Sequence, residues 1–259
     1  MPFPPPKPSP ARVLPARLQE ARWRPGLADH PFHSEIFASA AEASGAGLAL
    51  ALARDALTSC GGDEEGTRQV LWVQDRAAIR LGGRPCLAGL PPDLRHRLIH
   101  VAAATPEDAL FALEEGLKCR DLACVIGEIA GNPRALSFTA SRRLSLTAER
   151  HGVRLWLVRL DAEPDLSSAR MRWQARAAPS PPPRWNPAAP GTASWHAELF
   201  RARAHAPGAW MLNDDTGTLR LHPYLGSPDP DLAAAATTPD PVRLARPTVG
   251  RSLAARARA

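Results

Sequence analysis

With 259 residues, 44% of them hydrophobic, the chain is long enough for one large or two small cores, and one core with tails is the expectation. No run of about 18 uncharged apolar residues occurs, and the proline-rich start has no apolar signal core, which excludes a helical membrane span and points to a soluble cytoplasmic protein. The net charge of +6 comes almost wholly from arginine, since Lys7 and Lys118 are the only lysines. Guanidinium groups pair bidentately with phosphate and carboxylate, so a nucleic acid or an acidic protein is the natural partner class. Abundant Ala, Pro and Arg also fits GC-biased coding, so composition does not decide between them. The four cysteines, Cys60, Cys86, Cys119 and Cys124, lack C-x-x-C or Cys/His metal spacing and read as reduced structural thiols.

Residues 1–17 form a proline-dense arm expected to be disordered or polyproline-like, overlapping a short helix from Val13 to Trp23 that Pro25 and Gly26 end. A strand at Ser34–Ser39 precedes a small-residue turn and a helix carrying Leu48, Leu50, Leu52, Ala56 and Leu57, which stops near Cys60-Gly61-Gly62. Gln69–Gln74 is a β-rich run ending in Asp75, as in a buried parallel strand. A loop through Gly82-Gly83 and Leu90-Pro91-Pro92 leads to a short strand at Arg97–Val101. Thr105-Pro-Glu-Asp108 opens a helix by N-cap, proline and first-turn acids, with Ala109, Leu110, Leu113 and Leu117 inward. Cys119–Gly127 supplies another strand ending at Glu128, and Ser137–His151 a helix with Leu136, Leu144 and Leu146 inward. Val153–Val158 is the next strand. Strands at Ala169–Ala175, Ser194–Arg203 and Ala209–Leu212 then follow in succession, with a proline-rich loop at Pro179–Pro190. The alternation predicts an α/β fold, a mostly parallel sheet flanked by helices and extended by a C-terminal β portion. One domain over 18–222 is expected, with a flexible Pro/Ala/Arg-rich tail over 223–259.

The turn between the first strand and its helix has the local plan of a phosphate-binding loop, G-x-x-x-x-G-K-[ST], over Ala40–Gly47. Gly45 keeps the second glycine, Ala40 replaces the first, Ala46 replaces the lysine that reaches the β/γ-phosphates, and Gly47 replaces the hydroxyl that holds Mg²⁺. Ser44 lies within the same turn. Such turns are common in α/β proteins, so the order of elements around it carries more weight.

That order resembles the RecA recombinase core. The Ala40–Gly47 turn occupies the Walker A place, and Leu71-Trp-Val-Gln-Asp75 is similar to the strand carrying RecA's Asp-Ala-Glu. Thr105–Lys118 is similar to the helix that follows, and Leu122–Glu128 to the Walker B strand, with the likeness running from about Leu18 to Leu212. Within that superfamily the chain resembles the ImuA family, RecA/SulA-like proteins of the SOS mutagenesis cassette of alphaproteobacteria. Cys119-Arg-Asp-Leu-Ala-Cys-Val-Ile-Gly-Glu-Ile129, Arg142-Arg-Leu-Ser-Leu-Thr-Ala-Glu-Arg-His-Gly152, Ala193-Ser-Trp-His-Ala-Glu-Leu199 and Gly208-Ala-Trp-Met-Leu212 carry the resemblance. It implies a role in error-prone translesion DNA synthesis after damage, beside the polymerase-related ImuB and an error-prone polymerase. DNA or RecA are further partners to weigh. Arg76 stands where RecA has its catalytic glutamate, Gly127-Glu128 where it has the Walker B aspartate, and the segments after Glu128 and from Leu160 to Ser168 are short beside RecA's DNA loops.

A non-catalytic accessory protein without cofactor or metal is therefore expected, the alternatives being an ATP-dependent recombinase-like enzyme and a SulA-like inhibitor of cell division. Glu128 reads as a structural hydrogen-bonding group rather than a general base. His96 and His100, four apart, lack a third ligand. Trp72 and Trp156 read as core, whereas Trp185 in its proline-rich loop is a candidate partner contact. Arg142 and Arg143 are candidate contacts to DNA or an acidic partner, as are Arg243, Arg246, Arg251, Arg256 and Arg258 of the tail.

Overall fold

The computed structural model describes residues 31–59, 67–183, 185–186, 188–215 and 218–222. All of them lie in the first of the two units, Met1–Pro223 and Tyr224–Ala259, into which the chain divides. The proline-rich arm, the helix expected at Val13–Trp23, the turn at Cys60–Gly62 and the tail with its arginines lie outside the described residues.

The strands are β1 (His33–Ala38), β2 (Gln69–Asp75), β3 (Leu98–Ala103), β4 (Leu122–Ala130), β5 (Arg154–Leu160), β6 (Met171–Ala177), β7 (Ser194–Ala202), β8 (Gly208–Asp215) and β9 (Thr218–His222). They form one sheet in the order β3-β2-β4-β5-β1-β6-β7-β8-β9. Pairing is parallel from β3 through β1 to β6 and antiparallel from β6 to β9. The helices are α1 (Ser44–Ser59), α2 (Arg76–Gly82), α3 (Pro106–Lys118) and α4 (Phe138–His151). One hydrophobic cluster joins α1 and Ala78 of α2 to Trp72, Trp156, Trp173, Trp195 and Trp210, and a second joins α3 and α4 to Leu71, Val73, Val125, Leu155 and Leu157. The parallel strands therefore have helices on both faces, which is why β1 is buried along its whole length.

Local chemistry sets the helix ends. Thr105 Oγ1 accepts from Asp108 N at 3.1 Å to cap α3, with Pro106 at the first turn and Glu107 and Asp108 beside the positive end of the dipole. Leu113 and Leu117, both at 0% exposure, anchor α3 to the sheet, and each contributes about 1.5–3 kcal/mol by leaving water. Ser137 caps α4, and Gly152 closes it at φ 73°, in the left-handed region that favours glycine.

Three sequence expectations need correction. Residues 76–82, read as loop, form α2, because Asp75 ends β2 and also caps the helix through a 2.6 Å bond from Ala78 N. Leu146, read as inward, is 54% exposed, because α4 turns Ala140, Leu144 and Ala148 to the core instead. Strand β9, which the alternation did not suggest, pairs with β8 and contributes Leu219 to the core.

The centre of the sheet holds an ionic cluster. Arg172 Nε of β6 donates to Glu35 Oε2 of β1 at 2.8 Å, Arg159 Nη1 of β5 stands 3.9 Å from Glu35 Oε1, and Ser167 Oγ donates to Glu35 Oε1 at 2.6 Å. All three ionic groups are buried, with both guanidinium groups over the Phe37 ring and that of Arg172 also over Phe200. His33, on the same face of β1, bonds through Nδ1 to Ser145 Oγ of α4 at 2.7 Å. Burial holds its pKa down at about 4 against an ordinary 6.5, with Glu35 opposing and Arg172 assisting. The neutral imidazole of the folded state thus contributes stability that is complete above the unfolded pKa of 6.5 and is lost as pH falls towards 4. Integrated over that window the loss is about 3 kcal/mol. Urea unfolding followed from neutral pH into this window should show a shallower decline for His33→Gln than for the parent chain, and parallel declines would contradict the assignment.

Candidate functional site

The turn after β1 lies at the C-terminal end of the parallel strands, where open α/β sheets bind ligands. The backbone donors of its first three residues are engaged. Ala40 N donates to Asp161 Oδ1 at 2.9 Å, Ala41 N to Ser39 Oγ at 3.2 Å, and Glu42 N to Ser39 O at 3.3 Å. Asp161 is the one non-glycine residue at positive φ among the described residues, at 48°, and its own N–H is held by Ala38 O at 3.0 Å. Glu42 turns its carboxylate to the neighbouring strand, where Oε2 accepts from Ala177 N at 2.7 Å. A phosphate entering this turn would meet the Asp161 and Glu42 carboxylates and no lysine.

The small residues of the turn answer to packing. A Cβ on Gly45 would sit 2.8 Å from both Ala38 Cβ and Val158 Cγ1, inside any tolerable carbon contact, so glycine is what lets α1 approach β1 and β5. At Gly47 the neighbour is the Trp195 ring, at 3.1 Å. Ser44 Oγ is buried with no hydrogen-bond partner among the described residues.

In front of the turn is a recess of about 120 Å³, bounded by Ala43 and Ala46, by Trp72 and Gln74 of β2, by Glu128 of β4, and by Gly83 and Arg84 after α2. Small-molecule sites usually begin at about 300 Å³. Glu128 lies within β4, two residues before its end, and is 3% exposed. Its Oε1 accepts from Trp72 Nε1 at 2.6 Å. Burial raises the Glu128 pKa above the usual carboxylate range, bonds to Trp72 and Gln74 pull it down, and the Asp75 charge raises it. Gln74 in turn donates to Gly83 O at 2.9 Å and meets His100 Nε2 at 2.9 Å, which ties β2, β3 and the end of α2 together. Arg76 is exposed at the start of α2. No group of three or more His, Cys, Asp or Glu able to hold a metal occurs among the described residues. No helix among them is long and apolar enough to cross a membrane.

The arginine and tryptophan candidates lie away from this recess. Arg143 pairs through Nε with Glu114 of α3, so part of its charge is spent between helices. Arg142 is exposed, and Trp185 is 82% exposed. Sequence reasoning did not single out Asp161, whose bond to the turn depends on β5 lying beside β1. Nor did it find the Trp72–Glu128 bond, which needs the parallel register of β2 and β4.

A mostly parallel mixed sheet with helices on both faces, and a small-residue turn after its central strand, is compatible with a RecA-like α/β fold. No family model matches the chain. The chain is 34% identical over 165 residues to Protein ImuA of Caulobacter vibrioides strain NA1000 / CB15N, and equally to that of strain ATCC 19089 / CIP 103742 / CB 15. The alignment covers 60% of this chain and spans 64% of the length of those curated relatives. Over that aligned part the chain is similar to these ImuA proteins.

Gly45→Val should lower stability by about 2 kcal/mol through overpacking against Ala38 and Val158. The loss should be the same with and without nucleotide. A variant with unchanged melting behaviour would remove packing as the reason for the glycine.

Proposed function

We propose that this chain is a non-catalytic, RecA-like accessory protein of SOS-induced, error-prone translesion DNA synthesis that acts as an adaptor to an ImuB-like, polymerase-related partner. The similarity to Protein ImuA supports the setting. The observation that carries the non-catalytic part is the turn at 40–47. Its Ala40 N–H is bonded to the Asp161 carboxylate, Ala46 and Gly47 offer neither ammonium nor hydroxyl, and the recess before it is too small for a nucleotide. Phosphoryl transfer depends on positive charge and Mg²⁺ at the β/γ-phosphates, and removing either group is severe. Glu128, kept within reach of Trp72 and pushed towards its protonated form, is poorly suited to activate water.

The test uses the full chain purified alone and with the ImuB-like protein of the same genome. Expected are no Mg²⁺-dependent phosphate release above background, with or without single-stranded DNA, no shift of the melting temperature by ATP, and co-elution with the partner. DNA-stimulated turnover that disappears in Glu128→Gln would replace the adaptor by an ATP-dependent enzyme.

A further inference from the structure

A second depression, of about 480 Å³, lies on the other side of the sheet from α1, between α4 and the ends of β6 and β7. The helix contributes Phe138, Arg142, Leu146 and Glu149, a single stripe at helical spacing. Phe138 and Leu146 are 47% and 54% exposed, which leaves two large apolar side chains in water inside a concave surface. The opposite wall carries Arg170, Arg201 and Arg203. Arg170 is neutralised by Glu149 through its Nε at 2.6 Å. Arg142, Arg201 and Arg203 are exposed, and their guanidinium groups pair with no carboxylate among the described residues. The hydroxyls in the floor are turned inward, Ser145 to His33 and Ser168, and Ser167 to Glu35. Recognition by this groove therefore falls to two apolar anchors and three uncompensated positive charges.

We infer that the groove between α4 and the β6–β7 ends is a docking site for an acidic, amphipathic peptide segment of a protein partner. Leu or Phe side chains of the segment cover Phe138 and Leu146, and its Asp or Glu side chains pair with Arg142, Arg201 and Arg203, a helix-in-groove or extended-peptide mode. A nucleic-acid backbone fits less well. Phe138 and Leu146, the apolar half of the groove, have no complement in a phosphate backbone, whereas Leu or Phe of a peptide covers them. This inference rests on the adaptor reading only for the identity of the partner; the groove and its charge stand apart from it.

The test is fluorescence anisotropy with the full chain and a fluorescein-labelled peptide of alternating Glu, Asp, Leu and Phe. The expected result is saturable binding that weakens at least about tenfold in Arg201→Glu/Arg203→Glu and in Leu146→Asp, with Arg76→Glu on α2 unchanged. A peptide with Ser in place of Leu and Phe should bind more weakly than the parent, and thermal melts of the variants should match the parent chain, since all the altered side chains are exposed. Absence of peptide binding, or binding indifferent to the groove variants, overturns the inference. So does a single-stranded oligonucleotide that binds and is weakened by the same variants while the peptide is not. Co-elution of the ImuB-like protein with parent and groove variants alike would sink the groove and leave the adaptor standing. Groove-dependent peptide binding without any co-elution would sink the adaptor and leave the groove.

Discussion

The buried contact of Glu35 with Arg172 and Arg159 holds the two halves of the sheet together. Glu35 sits on β1, the strand at which the parallel half meets the β6–β9 extension, and its partners come from the strands on either side. Three charges at such depth are tolerable only because each is bonded: the carboxylate to Arg172 Nε and Ser167 Oγ, and Arg159 Nη2 to Gly131 O. Removing one partner leaves the others desolvated without compensation, so the cluster fixes the register of β1 against β5 and β6 more strictly than interchangeable aliphatic contacts would. Its aromatic lining, Phe37 and Phe200, extends the constraint to β7.

That register determines what the turn after β1 can do. With β5 beside β1, Leu160 pairs with Ala38 and the chain leaves β5 through Asp161, directly under the Ala40 amide. The carboxylate then holds the Ala40 N–H. The close approach of α1, permitted by the missing Cβ at Gly45, keeps the turn tight and the recess small. The turn and the recess before it thus have their own hydrogen bonds, centred on Asp161, Glu42 and the Trp72–Glu128 pair.

The groove on α4 is arranged by the same cluster from the opposite direction. Ser145, Ser167 and Ser168 spend their hydroxyls on His33, Glu35 and one another, so the polar floor faces inward and the outward surface is left to Phe138, Leu146 and arginine. Leu146 shows why an apolar residue on an amphipathic helix is not automatically core: at its position α4 has turned past the sheet and faces the groove.

Local signals in the sequence were enough for the parallel strands and for α1, α3 and α4. A run such as Val70–Val73, buried on both faces, a Thr-Pro-Glu-Asp helix start, and the identity of residues 46 and 47 are properties of neighbours along the chain. The alternation also carried the extension by late strands, though not β9, nor the short helix after Asp75. What required tertiary structure is everything decided by residues far apart: Glu35 with Arg159 and Arg172, Asp161 on the Ala40 amide, Trp72 on Glu128, Gly45 against Val158, and Arg142 facing Arg201 and Arg203 across a groove. Periodicity says which residues share a face of one element. Only strand order and register say which element that face meets, and charge, burial and bonding at a site are set by that meeting.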